Sequence, residues 1–138
     1  MRVKIVSKDV KWKQIIIDRD NHVVARILRE SIYAKHCDEV LLIDDKMCIV
    51  VEIARSPNAV DAKQAIDSAK ILRDRGYRVI GILIVAEKGF GKSANLIRAV
   101  LLNITKRLGV RAGNVRMLRV RSDIEMTVND KEVKVRVW

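Results

Sequence analysis

The chain has 138 residues, a length that fits one compact domain with a single buried core. Apolar residues make up 49% of the sequence and are spread along it, so a disordered chain is not expected. The longest apolar run is far shorter than the roughly 20 residues of a membrane-spanning helix. The N-terminal residues lack the apolar core of a signal peptide. We therefore expect one domain over residues 1–138, located in the cytoplasm and without a membrane partner.

The charge balance is strongly positive. Twenty-eight Lys and Arg residues stand against seventeen Asp and Glu residues, which gives a net charge of +11. An excess of this size creates a positive field that attracts polyanions, and we expect nucleic acid, DNA more than RNA, as the partner. An acidic protein partner is one alternative. The charged surface of a thermophilic protein is another, although ion-pair networks of that kind tend to balance their charges.

The two cysteines do not indicate a metal site. Cys37 and Cys48 have neither the spacing of a metal-binding pair nor a His-rich neighbourhood. We expect two reduced thiols with a structural role, as is usual inside cells.

Two apolar groups open the chain. Val3 with Ile5, and then the run 15–17, indicate one or two short strands. Asp20 or Asn21 then provides an N-cap for a first helix. Apolar residues recur along this helix at steps of three and four, which predicts one buried stripe interrupted by a carboxylate. The stripe consists of Val23, Ile27, Glu30 and Ala34, and we expect the helix to end at about Ala34.

A hairpin and a second helix follow. The apolar runs 40–43 and 47–54 are separated by the polar residues 44–46, which is typical of a β-hairpin. Ser56 and Pro57 then provide an N-cap and a first-turn proline for a helix that ends at Gly76. The apolar face of this helix consists of Ala62, Ala65, Ile66, Ala69 and Leu72.

The remaining residues predict one more helix among four strands. The run 77–86 is almost continuously apolar, as central strands of α/β proteins are. After a loop at 89–91, a helix extends from about residue 93 to 108. Met117 and Val120 indicate a further strand, and a closing hairpin turns at Asn129-Asp130. The predicted order is βαββαβαβββ, which implies an α/β domain with a central mixed sheet flanked by helices.

A pair of carboxylates on the predicted hairpin is the most informative feature. Glu52 interrupts an apolar strand, and a buried carboxylate without a partner is unfavourable. If the turn is centred on Asp45, residues whose numbers add up to 90 face each other, and Asp38 lies opposite Glu52. Like charges at about 5 Å destabilise a sheet, whereas a divalent cation would use both as ligands. A register shifted by one residue would instead place Glu39 or Cys37 opposite Glu52.

The predicted hairpin between two helices carries Asp38, then thirteen further residues, and then Glu52-Ile53-Ala54. This pattern resembles the PD-(D/E)xK nuclease superfamily over roughly residues 21–86. The resemblance implies a restriction-endonuclease-like fold and metal-dependent cleavage of phosphodiester bonds. It also implies that Asp38 and Glu52 hold Mg²⁺ or Mn²⁺. Glu30 would correspond to a helix-borne Glu of the superfamily, and Gln64 to a polar residue on its following helix. Many such nucleases act as dimers, so the resemblance is compatible with a homodimer.

The sequence departs from this pattern at the lysine that positions the attacking water, which is replaced by Ala54. Lys63 is a candidate to replace it from the following helix, and the proline that precedes the Asp is replaced by Cys37. One alternative is a catalytically inactive nuclease fold that binds nucleic acid or a protein. Another is that Asp38 only caps a strand end in solvent while Glu52 pairs with Arg55 or Lys63.

The segment Ala86-Glu87-Lys88-Gly89-Phe90-Gly91-Lys92-Ser93 resembles the phosphate-binding loop of P-loop NTPases, with Ala86 at the first glycine. It follows an apolar strand and opens a helix, as such a loop requires. However, no apolar strand ending in Asp follows it, and the one at 41–44 precedes it. We expect Lys88, Lys92 and the Gly91 amide to contact a nucleic-acid phosphate. A small nucleotide-binding protein and an ordinary strand-to-helix turn are the alternatives.

Three arginines complete the expected nucleic-acid surface. Arg55 follows the strand 47–54, and Arg119 and Arg121 alternate with apolar residues in the C-terminal region. This alternation places Arg119 and Arg121 on one sheet face, where basic side chains can follow a phosphodiester backbone. A solvated sheet face is the alternative.

Overall fold

The computed structural model describes residues 3–7, 9–31 and 35–137. Within these ranges, eight strands and three α-helices follow each other in the order ββαββαβαβββ, so two strands precede the first helix. The strands are β1 (Val3–Val6), β2 (Trp12–Ile16), β3 (Glu39–Ile43), β4 (Met47–Ala54), β5 (Arg78–Ala86), β6 (Val115–Arg119), β7 (Asp123–Val128) and β8 (Lys131–Val137). The helices are α1 (Val23–Glu30), α2 (Ala59–Asp74) and α3 (Ala94–Leu108).

The strands form two sheets. The five-stranded main sheet has the order β2-β3-β4-β5-β6, in which β2, β3 and β4 are mutually antiparallel and β4, β5 and β6 are parallel. The three-stranded small sheet has the order β1-β8-β7 and is antiparallel. The expected central mixed sheet is therefore confirmed, and the chain is an α/β protein.

The main sheet is covered differently on its two faces. On one face, Val40 and Val50 pack in a core with the three helices. On the other, Leu41 and Ile49 pack in a second core with the small sheet. The helices therefore cover one face of the main sheet, and the small sheet covers the other. The hairpin β7–β8 alternates apolar and polar residues, so one of its faces must be buried, and it covers the second face of the main sheet.

Helix α1 differs from its prediction in its cap and its buried face. Its N-cap is His22, whose Nδ1 accepts a hydrogen bond of 3.4 Å from the backbone N–H of Val24. The buried residues are Val24, Ala25 and Leu28, whereas Glu30 is exposed. The predicted stripe through Glu30 is wrong because two adjacent apolar stripes start at positions 23 and 24, and the second one packs on the sheet. Ala34, its predicted last member, lies outside the described residues.

Helix α2 confirms its predicted apolar face, since all five predicted residues are buried. Its N-cap is Asn58, not Ser56. The Asn58 side chain accepts hydrogen bonds from the backbone N–H groups of Val60 and Asp61, and the Asp61 carboxylate accepts one from the N–H of Asn58. This capping box begins the helix after Pro57 rather than at it.

Both predicted hairpins are present. The β3–β4 turn has positive φ angles at Asp44 (50°) and Asp45 (63°), and the β7–β8 turn has them at Asn129 (49°) and Asp130 (62°). Positive φ at both central residues matches the twist of the flanking strands. Strand β6, in contrast, ends at Arg119, and Arg121 follows in a turn with a φ of 66°. The prediction that Arg119 and Arg121 share one sheet face is therefore wrong.

Cys37 and Cys48 are both buried and form no disulfide bond. Burial raises the pKa of the Cys48 thiol to about 12, so this group remains protonated at neutral pH. In the described ranges, no helix has the length and apolar character needed to cross a membrane.

Asn114 and Gly81 join the two sheets. Asn114 is buried, and its Nδ2 donates hydrogen bonds of 2.9 Å to the carbonyl oxygens of Ile80 in β5 and Thr127 in β7. Its Oδ1 accepts one of 3.1 Å from the N–H of Thr127. Close by, a Cβ atom at Gly81 would overlap the terminal methyl group of Met126 in β7 and would lie 3.1 Å from the carbonyl oxygen of Asn114, so a larger residue would require the Met126 side chain to move.

We therefore expect the substitution Asn114→Ala to lower the free energy of unfolding by about 3 kcal/mol, because it leaves buried backbone groups of two sheets without partners. The measurement is urea-induced unfolding followed by circular dichroism. Asn103→Ala, at an exposed position of α3, is the control and should change the value by less than about 0.5 kcal/mol. Equal effects of the two substitutions would contradict this role of Asn114.

Candidate functional site

The register of the β3–β4 hairpin brings Asp38 and Glu52 together. Val40 faces Val50 and Glu39 faces Val51, so the turn is centred on Asp45 as predicted. The N–H of Asp38 donates a hydrogen bond of 3.1 Å to the carbonyl oxygen of Val51, which is the partner of Glu39, so the pairing slips by one residue just before β3. The direct facing of Asp38 and Glu52 stays a prediction, but their side chains are hydrogen-bonded to each other.

The Asp38 carboxylate is fixed by the backbone of β4. It is half-buried, and its Oδ2 accepts a hydrogen bond of 2.7 Å from the N–H of Ile53. A short bond from an amide to a carboxylate is stronger than one between neutral groups. Asp38 is therefore held across the hairpin, and it is not a solvent-exposed strand cap.

Glu52 is buried with an unsatisfied oxygen. Its residue is only 4% exposed, and Val50, two residues earlier on the same strand face, packs under the helices. Its Oε2 has no hydrogen-bond partner within the described part of the chain. The alternative in which Glu52 pairs with Arg55 or Lys63 is not observed, because both basic residues are exposed and neither forms an ion pair with it. An orphaned buried oxygen normally has a partner such as water or an ion.

The surroundings of Glu52 disfavour its charge. Burial raises its pKa to about 10, with further contributions from the hydrogen bond to Asp38, from the charge of Asp38 and from the charge of Asp61. Glu52 is therefore protonated at neutral pH in the absence of a cation, and the two carboxyl groups share that proton. The same pair acts on Cys37: burial raises the pKa of this thiol, and the charges of Glu52 and Asp38 raise it further. Cys37 is thus not an activated nucleophile.

The structure does not bring all predicted site residues to this pair. Glu30 lies exposed at the end of α1. Lys63 is exposed on α2 and lies about 200° around the helix from Asp61. Gln64 is half-buried, one turn after Asp61 and on the same side of the helix. Throughout residues 3–7, 9–31 and 35–137, no three His, Cys, Asp or Glu side chains form a group that could hold a metal ion, so Glu30 does not complete a set of three ligands.

The pair lies near one end of the main sheet, which we call the carboxyl edge. In the parallel part of the sheet, Ala54 of β4 aligns with Ala86 of β5, and Ala86 aligns with Arg119 of β6. The last residues of all three strands therefore meet at this edge, and Glu52 lies two residues before it. In open α/β sheets, ligands bind at the carboxyl ends of the parallel strands.

Four basic residues, Arg55, Lys88, Lys92 and Arg119, belong to this edge and form what we call the basic cluster. The N–H of Lys88 donates a 2.9 Å hydrogen bond to the carbonyl oxygen of Arg55, and Nη2 of Arg119 donates a 3.2 Å bond to the carbonyl oxygen of Lys88. Lys92 lies in the short 3₁₀ turn that opens α3. All four are exposed, and none is in an ion pair with another described residue. The cluster is thus an unneutralised positive surface.

Gly89 allows Arg119 to reach the loop. Its φ is 139°, and a Cβ atom at this position would lie 2.8 Å from Nη2 of Arg119. Any other residue would be strained there and would crowd the guanidinium group. Arg121, in contrast, is exposed in the turn after β6 and is not part of the basic cluster.

The loop between β5 and α3 has the strand–loop–helix setting of a phosphate-binding loop, but it lacks the acidic partner. Ile43 faces Met47, which aligns with Arg78 at the first residue of β5. Asp44 therefore lies at the opposite end of the main sheet from this loop. The nucleotide-binding alternative is not favoured by this arrangement, because Asp44 cannot reach a nucleotide bound at the carboxyl edge.

The outer face of the small sheet is balanced in charge. Arg136 forms an ion pair with Asp123, with Nε at 2.9 Å from Oδ1 and Nη2 at 3.3 Å from Oδ2. Lys134 faces Glu125 across the two strands. The basic residues Lys134 and Arg136 of the outer face are therefore each matched by a carboxylate, unlike those of the basic cluster. Asp61 is the site residue that the sequence interpretation missed, although the Asn58-to-Asp61 spacing is a capping-box signal.

Comparison of the chain with known protein families, with curated proteins and with solved structures gave no match. The function of the site must therefore be inferred from its residues.

The raised pKa of Glu52 predicts an unusual dependence of stability on pH. The folded state keeps a proton that the unfolded state releases above the ordinary pKa of 4.5, so this contribution is present at low pH and is lost as the pH rises towards about 10. We expect the wild type to lose stability relative to Glu52→Gln between pH 6 and pH 9, by at most about 1.4 kcal/mol per pH unit. The measurement is urea-induced unfolding in EDTA at each pH.

Glu132→Gln, which removes an exposed carboxylate from the small sheet, is the matched control and should follow the wild type at every pH. If the Glu52→Gln curve also runs parallel to the wild type, Glu52 is not a buried proton-binding group.

Proposed function

We propose that this protein is a metal-dependent phosphodiesterase acting on nucleic acid, of the PD-(D/E)xK type, with Asp38 and Glu52 as metal ligands. One observation carries the proposal: a buried carboxyl group with an unsatisfied oxygen lies beside a fixed carboxylate, at the same sheet edge as the unpaired basic cluster. A buried carboxyl group and an exposed basic surface each have simpler explanations when they occur separately. Together they match what cleavage of a polyanion requires.

A divalent cation fits the pair. Two carboxyl groups at this spacing repel each other when both are ionised, and here the repulsion and burial are relieved by a proton on Glu52. A cation relieves them in the same way and supplies a partner for the orphaned Oε2. Mg²⁺ is usually held by one or two carboxylates and completes its shell with water, and Mn²⁺ accepts the same oxygen ligands. Two carboxylates without a third are therefore sufficient.

When bound, the metal ion would polarise the scissile phosphate and lower the pKa of the attacking water. The residues of the chain have separate tasks around it. The N–H of Ile53 fixes the orientation of Asp38, and β4 fixes the position of Glu52. Lys88 and Lys92 bind the phosphates beside the scissile bond, while Arg119 holds the Lys88 carbonyl and so shapes the loop.

The chain topology supports the same class of fold. An antiparallel hairpin, β3–β4, carries the two carboxyl groups, and α2 then returns the chain to a parallel strand, β5. We propose on this basis that the core is restriction-endonuclease-like. The small sheet adds a layer to it on the face opposite the helices.

Ala54 is the feature that favours the alternative, a catalytically inactive nuclease fold that binds nucleic acid or a protein. It follows Glu52 on the same face of β4, where the superfamily has the lysine that positions water. Lys63 is exposed on α2, and its role as a replacement stays a prediction. Both functions require the basic cluster, so only cleavage separates them.

The cleavage test uses wild type, Asp38→Ala and Glu52→Ala with Mg²⁺ or Mn²⁺ on duplex, single-stranded and branched DNA and on RNA. We expect the wild type to cut at least one substrate. Each substitution should lower the rate by more than about 100-fold, because even residues that only support metal ligands cost 10–100-fold when changed. Binding of each substrate is measured in EDTA at the same time.

Binding without cleavage by the wild type would support the inactive alternative. Equal cleavage by all three proteins would overturn the assignment of Asp38 and Glu52, since the activity would then come from elsewhere. Asp38→Asn serves as the isosteric control, because it keeps the shape of the side chain and removes only its charge.

The role of the basic cluster is tested by Lys88→Glu/Lys92→Glu. Each phosphate contact contributes about 0.9 to the slope of log affinity against log salt concentration for duplex DNA. We therefore expect the double variant to bind duplex DNA more weakly and to reduce this slope by about 1.8. The measurement is fluorescence anisotropy between 50 and 200 mM salt, conditions chosen as roughly physiological.

Lys131→Glu/Lys134→Glu, which makes the same change of net charge on the small sheet, is the control. A loss of affinity equal to that of Lys88→Glu/Lys92→Glu would show that net charge, and not the carboxyl edge, governs binding.

A further inference from the structure

Strand β6 forms an open edge of the main sheet. It pairs with β5 on one side, and no other strand in the described ranges pairs with its second side. Part of its backbone N–H and C=O groups therefore point away from the sheet, and such an edge is a template for another strand.

The opposite edge of the main sheet is protected, which makes β6 distinct. Nε2 of Gln14 in β2 donates a hydrogen bond of 3.1 Å to the carbonyl oxygen of Val3 in the small sheet. Among the described residues, none of the β6 side chains forms a comparable hydrogen bond to the small sheet.

A groove with an apolar floor runs along the open edge. It lies between α3 and β6, has a volume of about 260 Å³, and we call it the α3–β6 groove. Its apolar residues are Leu101, Leu102, Val115 and Met117. Leu102 is 55% exposed in this groove. An exposed apolar side chain in a groove beside an open strand offers a contact for apolar side chains of a partner.

The polar residues of the groove are Arg98 and Arg116. Both are exposed, and neither forms an ion pair with any residue in the described part of the chain. None of the described residues that line the groove is acidic. Its rim is therefore positively charged and complementary to acidic side chains.

We propose that the α3–β6 groove binds an acidic, extended segment of a partner protein, which adds a strand to β6. In strand addition, backbone hydrogen bonds provide affinity and pockets for alternate side chains provide specificity. Here apolar side chains of the segment enter the groove, and its acidic side chains pair with Arg98 and Arg116. The proposal does not depend on the nuclease function, because the groove shares no residue with the carboxyl edge.

Other occupants fit less well. A nucleic acid would complement the arginines, but it would leave the backbone edge unpaired and the leucines without apolar contacts. A second copy of this chain would bring the same two arginines of each copy together, and the net charge of +11 on each chain would oppose the approach.

The test uses a fluorescein-labelled peptide of alternating Glu and Val, titrated with the full chain and followed by anisotropy. We expect saturable binding. A peptide methylated at alternate backbone nitrogens keeps its charge and side chains but cannot complete the strand, and it should bind at least about tenfold more weakly. A peptide with Lys in place of Glu should bind no better than background.

Charge reversal tests the groove itself. We expect Arg98→Glu and Arg116→Glu each to weaken binding of the acidic peptide by about tenfold, and the double variant to gain binding of the Lys peptide. Arg107→Glu, exposed on the last turn of the same helix but outside the groove, should bind as the wild type does. Thermal unfolding of each variant confirms that it is folded.

Three results would overturn the proposal. One is the absence of saturable binding to the wild type. Another is that the methylated and unmethylated peptides bind equally well, which would show that no strand is added to β6. The third is that Arg98→Glu and Arg116→Glu leave peptide binding unchanged but alter another interaction. Weaker binding of duplex DNA would show that the groove binds DNA, and conversion of a dimer to a monomer would show that it binds a second copy.

Discussion

The burial of the Glu52 carboxyl group is the constraint on which the site depends. A carboxylate in the interior of a strand needs a proton, a hydrogen-bond partner or a cation. The structure provides a hydrogen bond to Asp38 for one side of the group and leaves Oε2 without a partner. Asp38 is in turn fixed by the N–H of Ile53. The arrangement is stable only when one positive charge, a proton or a metal ion, resides between the two carboxyl groups.

The three-layer architecture keeps this pair in place. Helices cover one face of the main sheet, the small sheet covers the other, and β4 and β5 are buried between them. Asn114 and Gly81 fix the small sheet against β5. Because these layers cover both faces of β4, the Glu52 carboxyl group is buried, and this burial raises its pKa.

The sequence predicted local features better than their packing. The hairpin turn at Asp45 was predicted correctly because alternation and turn residues fix the register within a few residues of chain. The buried face of α1 was predicted wrongly, since Glu30 is exposed. Apolar residues at positions 23 and 24 permit two stripes, and only the contact with the sheet selects one of them. The break after Arg119 depends on a turn that has no glycine to signal it.

The charges of the carboxyl edge suit binding before cleavage. With Glu52 protonated and Asp38 bound to a backbone amide, the positive charge of the basic cluster exceeds the negative charge of the acidic pair. A polyanion can therefore approach the edge without a metal ion. A divalent cation that replaced the proton would make the edge more positive, because it brings more charge than it displaces. Ala54 lacks the ammonium group that a lysine would carry at this position, but the electrostatic field at the carboxyl edge remains positive.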